Sequence, residues 1–574
     1  MYSNKDNVNM LTALLVKHGI RHAVVCPGSR NAPLVHNLNE CPHIRCVAVT
    51  DERSAGFYAI GMAQAVGGGV AVCVTSGTAL LNLAPAVAEA YHQHVPLVVV
   101  SADRPEAWID QQDGQTLWQP DALGRFVKKA VTLPEPKDET ERWHCNRLLN
   151  EALLSLHRHG AGPVHVNVPI TEPLFDFSVP ELPEERHIVF LQHKGTNLGH
   201  FEEFANGFLS AKRPMMVIGQ TKQGEVRAED LRVLRRHAVV LAEPLAGIAG
   251  VAPSADDGVC HFDEVLYKVE MDENYLPDHL IYIGGNVVSK RLKHFLRTTK
   301  DRQQWIVNEG GEFYDTFMHL SGVIEAAAGE VVSELARMYR TLAAMGGGDG
   351  SGCRADASSS YIALWERVLQ QTARHALAFE PPYSQMAAVK CFEEGLRNLD
   401  YPCEVHYANS TSVRLANIYA NHFVWCNRGV NGIEGSLSVA AGMSVASEGM
   451  VFCVIGDLSF FYDQNALWNR YLSGNFRILL LNNGCGGIFH QLKGLSASDA
   501  RDEYIAAGHH TEARGICEQN RVEYMVARNE AEMKEGIHWL LTVQGNAPML
   551  LEVFTRPDED DKVFKDYYRQ LKRM

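Results

Sequence analysis

Short, nearly unbroken apolar runs alternate along the chain with longer stretches in which apolar positions recur every three or four residues. A run without polar alternation is buried on both faces, and its alternation with helical stretches predicts parallel strands joined by helices. The first set of predicted strands is His22–Cys26, Cys46–Thr50, Val70–Thr75, Pro96–Ser101 and Pro163–Val168. A second set covers Pro214–Ile218, Ala238–Leu241, Leu280–Ile283 and Trp305–Val307. A third covers Glu404–Ala408, His422–Trp425, Val451–Ile455, Arg477–Leu481 and Met549–Phe554. The Gly-rich stretch from Met345 to Gly352 reads as a linker. The pattern thus predicts an α/β protein of three doubly wound parallel-sheet domains, at 1–182, 183–344 and 357–574, with the linker at 345–356. Such sheets bind ligands at the carboxyl ends of their strands.

Composition narrows the reading. With 574 residues the chain is too long for one core. A net charge of −15 argues against nucleic acid and means that an anionic substrate needs a local arginine cluster. The 13 cysteines include no C-x-x-C pair, and several sit inside apolar strands, the usage of a reducing cytoplasm. No cleavable signal is visible in the amphipathic first residues, so the expected location is cytoplasmic. Ser54–Ala88 contains no Asp, Glu, Lys or Arg, but Gly67–Gly69, Asn82 and Pro85 interrupt it. Helix, strand and helix, all buried, fit it better than a membrane span.

Two predicted strand ends carry polar residues that suit a metal. Val451–Ile455 runs into Gly456-Asp457, and Arg477–Leu481 runs into Asn482-Asn483-Gly484-Cys485, with 24 residues between Asp457 and Asn482. Adjacent parallel strands would set these groups side by side, and a carboxylate, an amide oxygen and a carbonyl are hard ligands suited to Mg²⁺ or Ca²⁺. Taken alone, Asp457 reads more simply as the cap of the following helix.

Gly-Asp followed at this spacing by Asn-Asn resembles the thiamine diphosphate fingerprint of the pyruvate-oxidase-like enzymes. The resemblance implies a pyrimidine-binding domain over 1–182, a middle domain, and a diphosphate-binding domain over 357–574. It implies that Asp457, Asn483 and the carbonyl of Cys485 hold Mg²⁺, with Mn²⁺ as the alternative, and that Gly456, Leu458 and Ser459 lie along the diphosphate. The family usually has glycine where this chain has Leu458. Such enzymes also need a carboxyl group at N1′ of the aminopyrimidine, and Glu52, just after a predicted strand, is the candidate. Its plainer reading is an acidic first helical turn. Thr75, Ser76, Gly77 and Thr78 resemble the loop on the pyrimidine side. In this family the glutamate acts across a dimer interface, which implies a homodimer at the least and a homotetramer as the expected assembly.

Arginines recur where strand ends should be, and guanidinium forks match carboxylates. Singly, each reads as a surface ion pair. Together, the motifs PGSR, DER, TSGTA, ADRP, SKRL, NSTSVR, NRGVNGI and GDLSFFYD are similar to those of the MenD family, over residues 26–489. That resemblance implies decarboxylation of 2-oxoglutarate and addition of the resulting carbanion to isochorismate, in menaquinone biosynthesis. It implies that Ser410, Arg414 and Arg428 hold the 2-oxoglutarate part. Ser29, Arg30, Arg104, Gln115, Lys290 and Arg291 would hold isochorismate, and Ile433, Ile488 and Phe489 would pack on the cofactor. The chain departs from the pattern at Gly114, where the family has Asn, and at Gly484-Cys485, where a third Asn is missing. Other readings are an acetolactate-synthase-like carboligase or a non-catalytic relative. Between Lys212 and Gly329 there is no G-x-G-x-x-G for a nucleotide, which weakens the first, and Glu52 with the metal residues weakens the second.

Overall fold

Three parallel sheets flanked by helices organise the chain, seen in a computed structural model that describes residues 1–190, 198–249, 259–298, 302–345, 355–492 and 494–574. The first sheet has six strands in the order Arg45–Ala48, His22–Val25, Val70–Val74, Leu97–Asp103, Val164–Pro169 and Ala130–Thr132. The second has five: Leu320–Glu325, Gln303–Asn308, His279–Ile283, Pro214–Ile218 and Val239–Ala242. The third also has five: Cys403–Tyr407, Met450–Gly456, Phe476–Asn482, Met549–Phe554 and Glu523–Ala527. The near-continuous apolar runs are the central strands, because helices cover both faces; every residue of Val70–Val74 and Leu97–Asp103 is buried.

Ala130–Thr132, Leu320–Glu325 and Glu523–Ala527 escaped the sequence pattern. Each is an edge strand, and each carries polar or partly exposed positions that break the run. His422–Trp425 is not a strand. Only Trp425 bridges to His406, while the Val424 amide donates to the carbonyl of Pro244 in the second sheet's unit. The apolar residues there fill a junction between units rather than extend a ladder. Of the Gly-rich linker, 346–354 lie outside the described residues.

The uncharged stretch folds as helix, strand and helix: Glu52–Val66, Val70–Val74, and Thr78–Asn82 continuing into Ala84–Gln93, but Thr78, Leu81 and Asn82 are exposed, so the second helical part is not buried throughout as expected. Among the described residues no helix is long and apolar enough to cross a membrane. Glu52–Val66 instead packs on Ser436–Ala446 of the third unit, backbone against backbone. A Cβ on Gly61 would lie 1.9 Å from the Val439 carbonyl, and one on Gly442 would lie 2.2 Å from the Tyr58 carbonyl. Only glycine permits that approach. The first and third sheets are therefore joined through these two helices.

Candidate active site

The third sheet places Met450–Gly456 directly beside Phe476–Asn482, with Gly456 opposite Leu481. The carboxyl ends of these strands bring Asp457 and the loop 483–485 together. Oδ2 of buried Asp457 accepts from three successive backbone amides, those of Asn483 at 3.1 Å, Gly484 at 2.8 Å and Cys485 at 3.2 Å. His509 Nε2 lies 3.5 Å from the same oxygen. Oδ1 accepts from the Leu458 amide at 2.7 Å, so Asp457 also steadies the first turn of the helix Asp457–Tyr462. The N-cap of that helix is Gly456, which offers no side chain, so Asp457 is its first residue and not the cap that the sequence suggested.

Asn483 is turned by a second acid. Its Nδ2 donates to Asp560 Oδ2 at 3.1 Å, while the Cys485 sulfur lies 3.8 Å from its Oδ1. Asp560 also accepts from the Gln385 amide and the Thr555 hydroxyl. Burial pushes the Asp560 carboxyl up to about 6. Burial, with Asp457 nearby, pushes the Cys485 thiol up to about 12, so the donor this residue offers a hard cation is its carbonyl. One carboxylate, one amide oxygen and one carbonyl fit Mg²⁺. Among the described residues no group of three His, Cys, Asp or Glu side chains could hold a metal ion. A cavity of ≈ 630 Å³ adjoins this loop, lined by Asn483, Cys485, His490, Arg501, His509 and Arg528, among others.

A second cluster gathers at the carboxyl ends of the first sheet. A Cβ on Gly28 would meet Thr75 Cβ at 2.4 Å, so the loop carrying Ser29 and Arg30 lies against the loop Thr75–Thr78. Gly77 has φ +84° and lies under Gln115, whose backbone and side chain would sit 3.2 Å from any Cβ there. The buried Gln119 accepts from the Gly77 amide at 2.7 Å. Thr75 and Ser76 are buried, Thr78 is exposed, and the Thr75 Oγ1 is buried without a partner among the described residues. An orphaned hydroxyl inside a loop of this kind suits a bound ligand. Buried Arg30 donates to the Ile170 carbonyl at 3.1 Å and to Glu172 at 3.0 Å. Arg104 pairs with Asp113 at 3.1 Å, lies 3.9 Å from the same Glu172 oxygen, and donates to the Gly114 carbonyl at 3.3 Å. A Cβ on Gly114 would meet nothing within 4 Å, so a larger residue would fit there.

A third cluster joins the middle and third units. Ser410, at the N-cap of Thr411–Tyr419, takes φ +76°, an unusual conformation for a side-chain-bearing residue and one that collects at functional sites. Its neighbour Asn409 donates to the carbonyls of Asn427 and Gly432 and accepts from Arg428 Nη1 at 3.0 Å. Arg428 Nε is buried without a partner among the described residues. Burial lowers the basicity of Arg414, against the pull of Asp263 and Tyr568. Arg291 is engaged already: it pairs with Asp263 and stands between the rings of Tyr267 and Tyr568, at 5.0 and 4.6 Å. Lys290 is exposed beside it.

Glu52 begins the helix Glu52–Val66, with Asp51 as the cap that accepts from the Arg53 and Ser54 amides. Among the described residues no hydrogen bond or ion pair joins Glu52 to Asp457 or the loop 483–485. Ile433 is 41% exposed, and Ile488 and Phe489 are half-buried in the short turn after the loop. Asn409, Asp560, Asp263, Glu172 and Gln119 took no part in the sequence reading. Only Asn409 sat inside a motif that reading used, one residue before Ser410.

Most of the second of these clusters, and Glu52, fall in a recognised domain. Residues 6–123 match the thiamine pyrophosphate enzyme N-terminal TPP binding domain. A solved structure of a putative thiamin diphosphate-dependent enzyme from Mycobacterium smegmatis has the same fold, with TM-score 0.68 and 16% identity over 96% of this chain and 100% of that one. The chain is also similar to 2-succinyl-5-enolpyruvyl-6-hydroxy-3-cyclohexene-1-carboxylate synthases. Those of Bacteroides fragilis and Bacteroides thetaiotaomicron are 42% identical over the whole of both chains. That of Porphyromonas gingivalis is 35% identical over 99% of this chain and 98% of its own. End-to-end identity at this level, on a chain with the thiamine diphosphate fold, means that this protein belongs to the 2-succinyl-5-enolpyruvyl-6-hydroxy-3-cyclohexene-1-carboxylate synthase family.

Proposed function

We propose that the protein joins the four-carbon unit left when 2-oxoglutarate loses CO₂ to the ring of isochorismate. The product is the compound for which its relatives are named, in menaquinone biosynthesis. The observation that carries this reading is the match to synthases of that name over the full length of both chains. When bound, thiamine diphosphate supplies the carbon nucleophile for the keto group and the sink for the electron pair released with CO₂. Asp457, Asn483 and the Cys485 carbonyl would hold Mg²⁺, or Mn²⁺ in its place, with Gly456, Leu458 and Ser459 along the diphosphate. Thr75, Ser76, Gly77 and Thr78 would line the pyrimidine side, where Glu52 holds a proton at N1′.

Ser410, Arg414 and Arg428 bind the carboxylates of the 2-oxoacid, and the unpartnered Arg428 Nε supports this role. Ser29, Arg30, Arg104, Gln115 and Lys290 bind isochorismate. Arg291 shares its charge between that substrate and Asp263. Ile433, Ile488 and Phe489 keep water from the reacting carbon. Glu52 completes a site whose metal residues belong to a second subunit, in a cytoplasmic homodimer or homotetramer. The test is to mix the purified protein with thiamine diphosphate, Mg²⁺, 2-oxoglutarate and isochorismate and to follow CO₂ and the adduct. Release of CO₂ and formation of the adduct are expected. Turnover of pyruvate in place of 2-oxoglutarate would favour an acetolactate-synthase-like carboligase instead.

A further inference from the structure

The loop that carries Arg428 is gripped from three directions. From its own unit, Asn409 donates to the carbonyls of Asn427 and Gly432. From the middle unit, Asn286 Nδ2 donates to the Arg428 carbonyl at 2.9 Å, and Gln220 Nε2 donates to the Cys426 carbonyl at 2.9 Å. From the first unit comes a carboxylate. Glu89, 3% exposed on the helix Ala84–Gln93, accepts from the amides of Gly429 and Val430, each at 2.7 Å, one on each oxygen. Gln93 donates to the Gly429-bound oxygen, so each oxygen of this acid is engaged by a donor.

The fit is steric as well as polar. A Cβ on Gly429 would lie 2.8 Å from the Glu89 carbonyl and 3.1 Å from its carboxyl group, so the loop rests directly on that helix. A buried carboxylate bonded to two successive amides fixes both the position and the direction of the peptide that bears them. The peptide fixed here follows Arg428, the residue whose Nη1 meets Asn409 and whose Nε has no partner among the described residues. With the backbone held on three sides, the guanidinium is aimed by its rotamer and by the Nη1 bond to Asn409.

We propose that Glu89 is a positioning residue for substrate: it holds the 428–430 segment from the first unit, so that Arg428 presents its guanidinium to the 2-oxoacid. This inference rests on the proposed role of Arg428. In Glu89→Gln the side chain keeps its size but turns an N–H₂ toward a backbone N–H, so one of the two grips becomes a repulsion. The Michaelis constant for 2-oxoglutarate should rise by about tenfold, the scale of one buried donor left unmatched. The Michaelis constant for isochorismate and the dissociation constant of thiamine diphosphate should stay within about twofold, since neither contact set is touched. Gly429→Ala, which lifts the same loop without changing a charge, should give the same pattern and serves if Glu89→Gln fails to fold.

The deciding measurement is a double-mutant cycle with Arg428→Ala. Glu89→Gln should add little once Arg428 is gone, because its effect passes through that side chain. A merely structural role would lower the active fraction equally in both backgrounds and leave the Michaelis constants unmoved, and either result overturns the proposal. If Arg428→Ala raises the 2-oxoglutarate constant and neither loop variant does, this inference fails and the proposed function stands. If Arg428→Ala itself leaves that constant unchanged, the assignment of Arg428 fails and takes this inference with it.

Discussion

The loop proposed to hold the metal and the arginine clusters are built in opposite ways. At the metal loop, Asp457 Oδ2 is set by three backbone amides, and those amides are set by the ends of two adjacent strands. Besides those amides, His509 Nε2 stands 3.5 Å from that oxygen. At the arginine clusters, the groups proposed to meet substrate sit at the tips of long side chains, most of them already paired: Arg30 with Glu172, Arg104 with Asp113, Arg291 with Asp263, Arg428 with Asn409. The end proposed for the cofactor is therefore pre-organised by the fold, and the end proposed for substrate is a set of cations with resident partners. Binding at the first costs little reordering, whereas at the second substrate must share or displace what is there.

The largest effect should come from the group that neither cluster contains. Glu52→Gln should lower kcat by about 10²–10⁴-fold, the range of a lost proton-transfer group, and leave thiamine diphosphate affinity near that of the parent. A variant with near-normal turnover would remove Glu52 from the chemistry. Next comes the pre-organised loop itself. Asp457→Ala should weaken Mg²⁺-dependent cofactor binding by about a hundredfold or more in calorimetry, since the loss is a charged acceptor with its amides left unsatisfied. On the side of the paired cations, Arg414→Ala should raise the Michaelis constant for 2-oxoglutarate about thirtyfold, and that for isochorismate far less. Equal rises would mean that the two anion subsites are divided wrongly. Asp560→Ala should weaken metal affinity by about tenfold, the usual scale for an acid that only orients a ligand, with no change in the pairing of the strands. Unchanged Mg²⁺ titrations would show that Asn483 does not need Asp560 to turn it.

The same contrast explains what the chain disclosed as sequence. Central strands and the polar residues at their ends were legible, because a strand buried on both faces must be apolar throughout and the residue that ends it is forced outward at the sheet's carboxyl edge. Gly456-Asp457 and Asn482-Asn483 stood out for that reason. Three edge strands, Glu523–Ala527 among them, were not legible, since polar positions break their runs, whereas the edges Val239–Ala242 and Cys403–Tyr407 kept enough apolar residues to be read. His422–Trp425 misled because burial between units gives the same apolar signal as burial in a sheet. Partners were the least legible layer. Glu89 sits in an alanine-rich helix that reads as plain core, and Asp560 sits in an acidic first turn that reads as a dipole effect. Each acts on a residue hundreds of positions or dozens of positions away, a pairing that only the fold sets.

The smallest predicted effect has the opposite sign and tests the contrast most directly. Glu172 Oε1 lies 3.0 Å from Arg30 Nη2 and 3.9 Å from Arg104 Nη1, so one carboxylate oxygen spans two of the cations proposed for isochorismate. Arg30 is buried and Glu172 is exposed, so the cation is fixed while its partner can swing into water. A substrate carboxylate arriving between the two arginines would meet an acid of its own charge. Glu172→Gln removes that competition and keeps the side chain's length. The Michaelis constant for isochorismate should fall by about threefold at low salt, the scale of an exposed ion pair. The advantage should shrink as salt is raised, because screening weakens the competing pair in the parent. The constant for 2-oxoglutarate should not move. If Glu172→Gln weakens isochorismate binding instead, Glu172 is a support that holds Arg30 in place, and the substrate end is as pre-organised as the metal loop.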